Sequence, residues 1–479
     1  MSATAATTTG TTTGTTTGAF ARLRDQVQEE LLAGYPAQLA RLRWDRARIV
    51  AHQRERLRAL LAYAVERSPF HARRLAKVDL AAVDPCDLSR LPVMTKAEMM
   101  ADLREVFTDR RLTIMAVEEA LAAATTEPAM PLGRYVALAS GGSSGERGVF
   151  VFDRSAVVQY VHLLTRGLVA RIAAAGGPPP GGLPVAFVGA GSPVHATGFA
   201  PHVTVGGVLP FRIHPVPVTL PLAEIVRRLE ALQAPVLYGY ASILGRLAAE
   251  RQAGRLGITP RTVTTTSETC TPELRAAITG GFGVPLVDTF GSTEGLVGAS
   301  PPDDEVLAFA EDECIVELVD AEYRPVAPGT PSARVLVTNL FNRLQPLIRY
   351  DLTDRFVAQP QVSGHGYLRA RVHGRSDEIF SYPGGTVHPL VVRSVLVQAP
   401  DVLEYQVRQT PRGIELIAVT GPGLDLDTLR ARLTRALAGT GLPHPEVTVR
   451  ATQRLDRHPQ TGKLARFVPL DHPEATGGD

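Results

Sequence analysis

Leu23, Val27 and Leu31, and further on Leu57, Leu60, Leu61 and Val65, recur at three- and four-residue spacing, which predicts helices between Phe20 and about Glu66, lying on the surface of a larger body. Thr95 to Glu98 has the spacing of a helix-starting capping box. From about 134 to 295 the texture changes. Short apolar runs at 184–190, 235–239, 261–267 and 285–290 read as strands, and the helix-length segments 221–233, 242–253 and 271–280 alternate with them. That alternation predicts a mostly parallel α/β sheet. Each run ends in a loop of small residues: GAGS, GYAS, SETC and GSTEG. Ligands bind beyond the carboxyl ends of such strands, so the four loops are expected to share one crevice.

After about 300 the pattern shortens to strands and turns. From about 391 it becomes a helix (391–398), two strands (402–408, 413–419), a second helix (425–438) and a strand (446–450). A chain of 479 residues exceeds what a single core of roughly 250–300 residues serves, so more than one domain is required. The expected fold class is α/β. A large N-terminal domain (19–375) has mostly parallel sheets, flanking helices and a β-rich subdomain; a small mobile α+β domain (376–479) follows. Residues 1–18 form a Thr/Gly repeat without apolar content, too polar to offset ordering entropy, and are expected to be disordered.

Composition narrows the function. With 50 basic and 48 acidic residues interspersed, and no basic run, nucleic acid is not an expected partner. No stretch approaches the roughly 20 apolar residues of a membrane helix, and the start lacks a secretion signal, so a cytoplasmic protein is expected. Cys86, Cys270 and Cys314 lie far apart with no metal-ligand spacing and are expected to be buried thiols. Only Lys77, Lys96 and Lys463 are lysines, so nearly all the basic residues are arginine.

Four segments could carry chemistry. In ALASGGSSGERG (137–148) small residues and hydroxyls let backbone N–H groups and serines surround a phosphate. No Gly-Lys-Ser/Thr follows and VFVFD reads as a strand, so the loop is a flap between strands rather than a helix-capping P-loop. DTFGSTEG (288–295) offers a carboxylate beside hydroxyls, suited to Mg²⁺ bridging phosphates, and Phe290 for stacking on a base. LIRYDLTDRF (347–356) and HGRSDEIF (373–380) supply Asp354, able to accept both hydroxyls of a ribose, and Arg375, able to donate to the same sugar. HPQTGKLARF (458–467) presents a lysine on a Gly turn that could deliver one ammonium to a charged intermediate.

In this order, and with LRALLAYAVERSPFHARRL (57–75) and DLSRLPVMTKAEM (87–99) upstream, the segments resemble the adenylate-forming superfamily of acyl-CoA synthetases, adenylation domains and luciferases. Within it the chain is most similar to the phenylacetate–CoA ligase branch, over roughly residues 40–470. The resemblance implies a two-step reaction: carboxylate plus ATP gives acyl-AMP and pyrophosphate, then CoA displaces AMP. It implies that Ser140, Gly142, Ser143, Ser144 and Gly145 hold the β- and γ-phosphates, Thr293 the α-phosphate and Glu294 the Mg²⁺. Glu268 would lie near the adenine, Phe290 and Gly291 beside it, and Asp354 and Arg375 on the ribose. Lys463 would bridge carboxylate and phosphate oxygens, and the small domain would rotate about Asp377. The acyl pocket would fall on Gly189, His195, Tyr238 and Tyr240. Glu146 and Arg147 depart from the branch's phosphate loop, and YDLTD lacks the commoner Thr-Gly. The leading expectation is activation of an aromatic or aryl-aliphatic acid and transfer to CoA. An amine or carrier-protein thiol as acceptor stays open, as does a homodimer. A nucleotide-binding protein without turnover is opposed by the intact Glu294, Asp354, Arg375 and Lys463.

Overall fold

The computed structural model describes residues 15–140, 148–206, 208–362, 364–375, 380–383, 385–387, 389–396, 399, 401–440, 442, 444–457 and 464–470. The first helix, Thr15–Arg41, begins inside the stretch expected to be disordered, because its opening turn leads into one that buries Ala19, Phe20 and Leu23. As expected it lies on the surface of the larger body, with Arg22, Asp25, Glu29 and Leu32 exposed on its outer face. Val27 and Leu31 are fully buried, and the helix packs on Arg154–Ala174, where the Tyr35 hydroxyl meets Thr165 at 2.9 Å and His162 Nε2 donates to the Leu31 carbonyl at 2.9 Å. At Gly34 a β-carbon would stand 2.5 Å from the His162 ring, so only glycine permits this approach. The second helix, Arg46–Arg67, is capped by Asp45 and buries Leu57, Leu60 and Leu61. The Thr95–Glu98 capping box forms as expected, with both reciprocal hydrogen bonds.

Strands β1 (Val136–Ser140) and β2 (Gly148–Phe152) make an antiparallel hairpin, so the Ser/Gly loop does lie between strands. The main body follows: β3 (Leu183–Gly189), β4 (Phe211–Pro217), β5 (Val236–Tyr240), β6 (Thr262–Thr266), β7 (Leu286–Gly291), β8 (Val297–Ala299) and β9 (Leu307–Phe309). A three-stranded sheet of β10 (Cys314–Val319), β11 (Arg334–Asn339) and β12 (Tyr350–Leu352) comes next, then β13 (Asp354–Ala358) and β14 (Arg369–Arg375). The main sheet has the order β13-β14-β9-β8-β7-β6-β5-β3-β4. Its β4-β3-β5-β6-β7 part is parallel and the rest antiparallel. Sequence patterning passes over β4 because it carries Pro215 and Pro217; a proline-bearing strand is tolerated at a sheet edge, which is where β4 lies. The chain leaves β3 toward β4 and returns to β5 on the other side, so the order reverses between β3 and β5, where α/β sheets open a ligand crevice.

Arg349 fixes the segment that leads to Asp354. It adopts φ 51°, donates to the Glu317 carboxylate at 2.9–3.1 Å and to the Leu91 carbonyl at 2.6 Å, and its own carbonyl accepts the Met94 N–H. The 87–99 and 347–356 motifs are thus one buried joint. Beyond β14 the chain builds a four-stranded sheet in the order Glu446–Ala451, Gly413–Thr420, Val402–Thr410, Phe467–Val468, with helices Pro389–Leu396 and Leu426–Ala438. Val407, Leu416, Leu429 and Leu433 centre its own apolar cluster. Cys314 is buried, Cys270 partly so, and Cys86 exposed, contrary to the expectation for it, because it sits in the Asp84–Asp87 turn. No helix among the described residues is long and apolar enough to cross a membrane.

Candidate active site

The carboxyl ends of β3, β5, β6 and β7 stand side by side, and their loops are laced together. Ala190 N–H donates to the Tyr240 hydroxyl oxygen at 3.1 Å, Thr197 meets the same oxygen at 3.1 Å, and Tyr238 meets Thr289 at 3.2 Å. Tyr240, expected on the acyl pocket, has no exposed surface. Burial pushes its phenol up to about 12, and it acts as a staple between the β3 and β5 loops. Tyr238 is half-buried, edge-on to Phe187. At Gly189 a β-carbon would lie 2.5 Å from the Phe187 ring.

His195, expected on the acyl pocket, is buried. Its Nδ1 donates to the Ala139 carbonyl at 2.8 Å, while Ala139 N–H donates to the Val194 carbonyl, which joins the candidate acyl loop to the base of the Ser/Gly hairpin. Ser140 accepts the Gly148 N–H at 3.0 Å and closes that base. Gly142, Ser143, Ser144 and Gly145 lie outside the described residues, as do Asp377 and Lys463.

The turn after β7 is tightly built. Ser292 exchanges hydrogen bonds with Leu296, its carbonyl accepts the Tyr160 hydroxyl at 3.0 Å, and the Glu294 carbonyl accepts Asn339 Nδ2 at 2.8 Å. Gly295 stands at φ 104°, with Asn339 Nδ2 2.3 Å from where a β-carbon would be, so the turn requires glycine. These supports leave two side chains uncommitted: among the described residues, neither Thr293 nor the buried Glu294 carboxylate makes a hydrogen bond or ion pair. A carboxylate held this way, without a protein cation, fits Mg²⁺ whose remaining ligands are phosphate oxygens and water. Among the described residues no cluster of three or more His, Cys, Asp or Glu offers an all-protein metal cage. Phe290 stays half-buried, held edge-on by Phe309 (5.7 Å) and Phe356 (5.3 Å). Asp354 and Arg375 are direct cross-strand partners at the first rung of β13–β14, with a bulge immediately after.

Glu268 follows Ser267, a non-glycine residue at φ 63°, a strained conformation of the kind found at ligand sites. Its carboxylate accepts the Ser242 N–H at 2.9 Å and the Leu464 N–H at 3.2 Å. Leu464 directly follows Lys463, so the lysine segment ends against the SETC loop. Nearby, Glu404 of the small unit pairs with Arg457 (2.6 Å) and, at 3.6 Å, with Arg246 of the large unit; Arg457 also donates to Ser242 Oγ at 3.2 Å. Sequence reading passed over Arg457 and Glu404; the only signal was that Arg457 immediately precedes the HPQTGK segment. Tyr160 and Asn339 were missed as well, since each acts through a main-chain carbonyl.

Two titrating groups meet at the SETC loop, its own Cys270 and Asp288 of the neighbouring β7. Burial and the neighbouring Asp288 push the Cys270 thiol up to about 12, which excludes a thiolate nucleophile there. Asp288 keeps some exposed surface, yet burial pushes its carboxyl up to about 6 even though it accepts the Thr265 hydroxyl at 2.6 Å. The native state therefore binds this proton more tightly than the unfolded chain, whose Asp titrates near 3.9, and stability falls as pH rises between about 4 and 6. Asp288→Asn is expected to flatten the pH dependence of the urea midpoint across that window; an unchanged slope would refute the assignment.

No family model matches the chain. It is 26% identical over 382 residues, 76% of its length and 78% of the relative's, to the phenylacetate–coenzyme A ligase of Thermus thermophilus. Its fold is similar to that of 2-hydroxyisobutyryl-CoA ligase in the postadenylation state with R3-HIB-AMP: TM-score 0.66 at 19% identity, covering 91% of this chain and 92% of that one. Against the same ligase in its thioesterification state with 2-HIB-AMP and CoA, the TM-score is 0.51 at 18% identity, with 88% and 90% covered. The resemblance to adenylate-forming ligases of the phenylacetate–CoA ligase type is borne out, and the mixed α/β fold with it.

Proposed function

We propose that the protein activates an aromatic or aryl-aliphatic carboxylic acid with ATP, forming acyl-AMP and pyrophosphate, and transfers the acyl group to CoA. One observation supports this reading most: the turn after β7 is fixed through its main chain and leaves the buried Glu294 carboxylate and the Thr293 hydroxyl without a protein partner among the described residues, at the carboxyl end of the parallel strands.

Adenylation brings an anionic carboxylate to an anionic α-phosphate, so the protein's task is positioning and charge neutralisation. Thr293 donates to the α-phosphate as its negative charge shifts. Asp354 accepts the ribose hydroxyls and Arg375 donates to the sugar. Glu268 and Phe290 bracket the adenine, and Ser140, Gly142, Ser143, Ser144 and Gly145 enclose the outer phosphates. Lys463 places a compact ammonium between the carboxylate and phosphate oxygens. Mg²⁺, held by Glu294, neutralises phosphate charge when bound. Gly189, His195, Tyr238 and Tyr240 shape the acyl side, His195 and Tyr240 from behind its surface. Rotation of the small unit about Asp377 then withdraws Lys463 and admits the thiol.

The test is ATP–pyrophosphate exchange across a panel of carboxylic acids, followed by product analysis with CoA. Acid-dependent exchange with an acyl-CoA product is expected. No exchange with any acid would sink the ligase reading, and an acyl-AMP that CoA fails to discharge would move the acceptor to an amine or a carrier-protein thiol.

A further inference from the structure

A cavity of about 380 Å³ lies between the helix Arg154–Ala174 and strands β8 and β9. Leu163, Val297, Val306 and Phe309 give it apolar walls. Val297 and Ala299 pair in register with Gly291 and Thr289, so the cavity adjoins the strand that ends in the Thr293–Glu294 turn. On the helix, Tyr160, Leu164, Gly167 and Arg171 fall at four- and three-residue spacing on one face. Tyr160 holds the Ser292 carbonyl, Leu164 lies 3.4 Å from the β-carbon position of Gly291, and Gly167 and Arg171 line the cavity. A glycine inside a helix carries a conformational penalty, and here packing does not demand it: only Arg171 Nη1, at 3.7 Å, approaches its β-carbon position. Its effect is to leave room.

Three arginines line the cavity, and two are compensated: Arg166 by Asp312 at 2.6 Å and Arg369 by Asp304 at 3.6 Å. The Arg171 side chain makes no hydrogen bond or ion pair among the described residues. Burial lowers its pKa, the Tyr238 phenol only partly opposing this, so the site holds a cation without its counter-charge. A guanidinium in an apolar cavity matches a carboxylate, which it can bind through two parallel N–H groups.

We propose that this cavity receives the far end of the acid being activated and that Arg171 pairs there with a second acid group. The inference rests on the ligase reading and narrows it to acids whose two acid groups stand roughly 10 Å apart, the helix rise from Leu164 to Arg171. The probes are nonanedioate, its monomethyl ester and nonanoate, with the biphenyl diacid in the same three forms, all assayed by ATP–pyrophosphate exchange on the full chain. At least one diacid is expected to show a KM about tenfold or more below its ester and monoacid, the effect of one charge-assisted pair. Arg171→Leu should erase that preference by raising the diacid's KM while kcat stays within about twofold; Arg171→Lys should keep part of it. Without ligand, Arg171→Leu should melt slightly higher than the wild type, since it removes a partly buried charge that has no partner among the described residues. Equal KM for all three forms in both series, or an equal effect of Arg171→Leu on every form, overturns the inference while the ligase reading stands. Exchange with no acid overturns both.

Discussion

Replacing Lys463 with alanine is expected to slow acyl-adenylate formation about 10²- to 10³-fold, the cost of removing one group that neutralises charge in the transition state. Thiolysis of supplied acyl-adenylate by CoA should keep most of its rate. The separation follows from where the lysine segment ends. Leu464 donates its N–H to Glu268, and Arg457 on the other side reaches Ser242, so both flanks of the segment are fastened to the loops proposed to hold the nucleotide. The position is also chemically selective. In a chain with only three lysines, this one presents a compact ammonium where arginine would offer a broad planar fork. Lys463→Arg should therefore restore little of the adenylation rate. Single-turnover measurement of the two half-reactions decides the matter: equal loss in both would mean that one arrangement of the small unit serves both steps.

Arg166→Ala is expected to lower unfolding stability by about 3 kcal/mol, more than any surface substitution, because it leaves a fully buried carboxylate with only the longer Arg41 contact at 3.7 Å. Arg166 donates through Nη1 and Nη2 to both oxygens of Asp312, at 2.6 and 2.8 Å, and Asp312 has no exposed surface. Burial alone would raise the Asp312 pKa, but the Arg166 charge and hydrogen bonds leave it below the ordinary value. In the wild type this carboxylate adds stability above about pH 4 that is lost as the pH falls further. In Arg166→Ala burial prevails and the pKa rises, so the stability gap between the two proteins should narrow as the medium turns acidic. Arg166→Met combined with Asp312→Leu should recover most of the loss, read from urea midpoints at pH 7 and pH 5. A double variant as weak as the single one would place the loss in packing rather than in the stranded charge.

The sequence was most legible where structure and chemistry share short segments. The four strand-to-loop transitions lie within about two residues of their predicted ends, since each apolar run stops at a glycine or hydroxyl that the crevice requires. The Asp354/Arg375 pairing was half visible: the residue types were readable, but their register depends on a hairpin across 20 residues. Buried polar supports were invisible for a different reason. Asn339, Asn342 and Gln345, at threes in TNLFNRLQ, look like a surface turn; in the fold Asn339 holds the Glu294 carbonyl, while Asn342 and Gln345 clasp β2 through Val149 and Val151. Side chains that act through main-chain atoms leave no pattern of their own. Arg171 is a similar case, since its significance lies in the absence of a partner.

The Glu268 carboxylate receives one N–H from each unit, at Ser242 and at Leu464. On the proposed reading an adenine amino group arriving at that loop would become a further donor to the same two oxygens, and nucleotide occupancy and docking of the small unit would then share a coupling free energy that acts equally in both directions. A tighter Glu404–Arg457–Ser242 contact would populate the docked arrangement further and so raise nucleotide affinity by at most that coupling factor, delaying release for the thiol step. The catalytic cycle therefore has an optimum grip: too loose, and acid is not activated; too firm, and the adenylate is made once and kept.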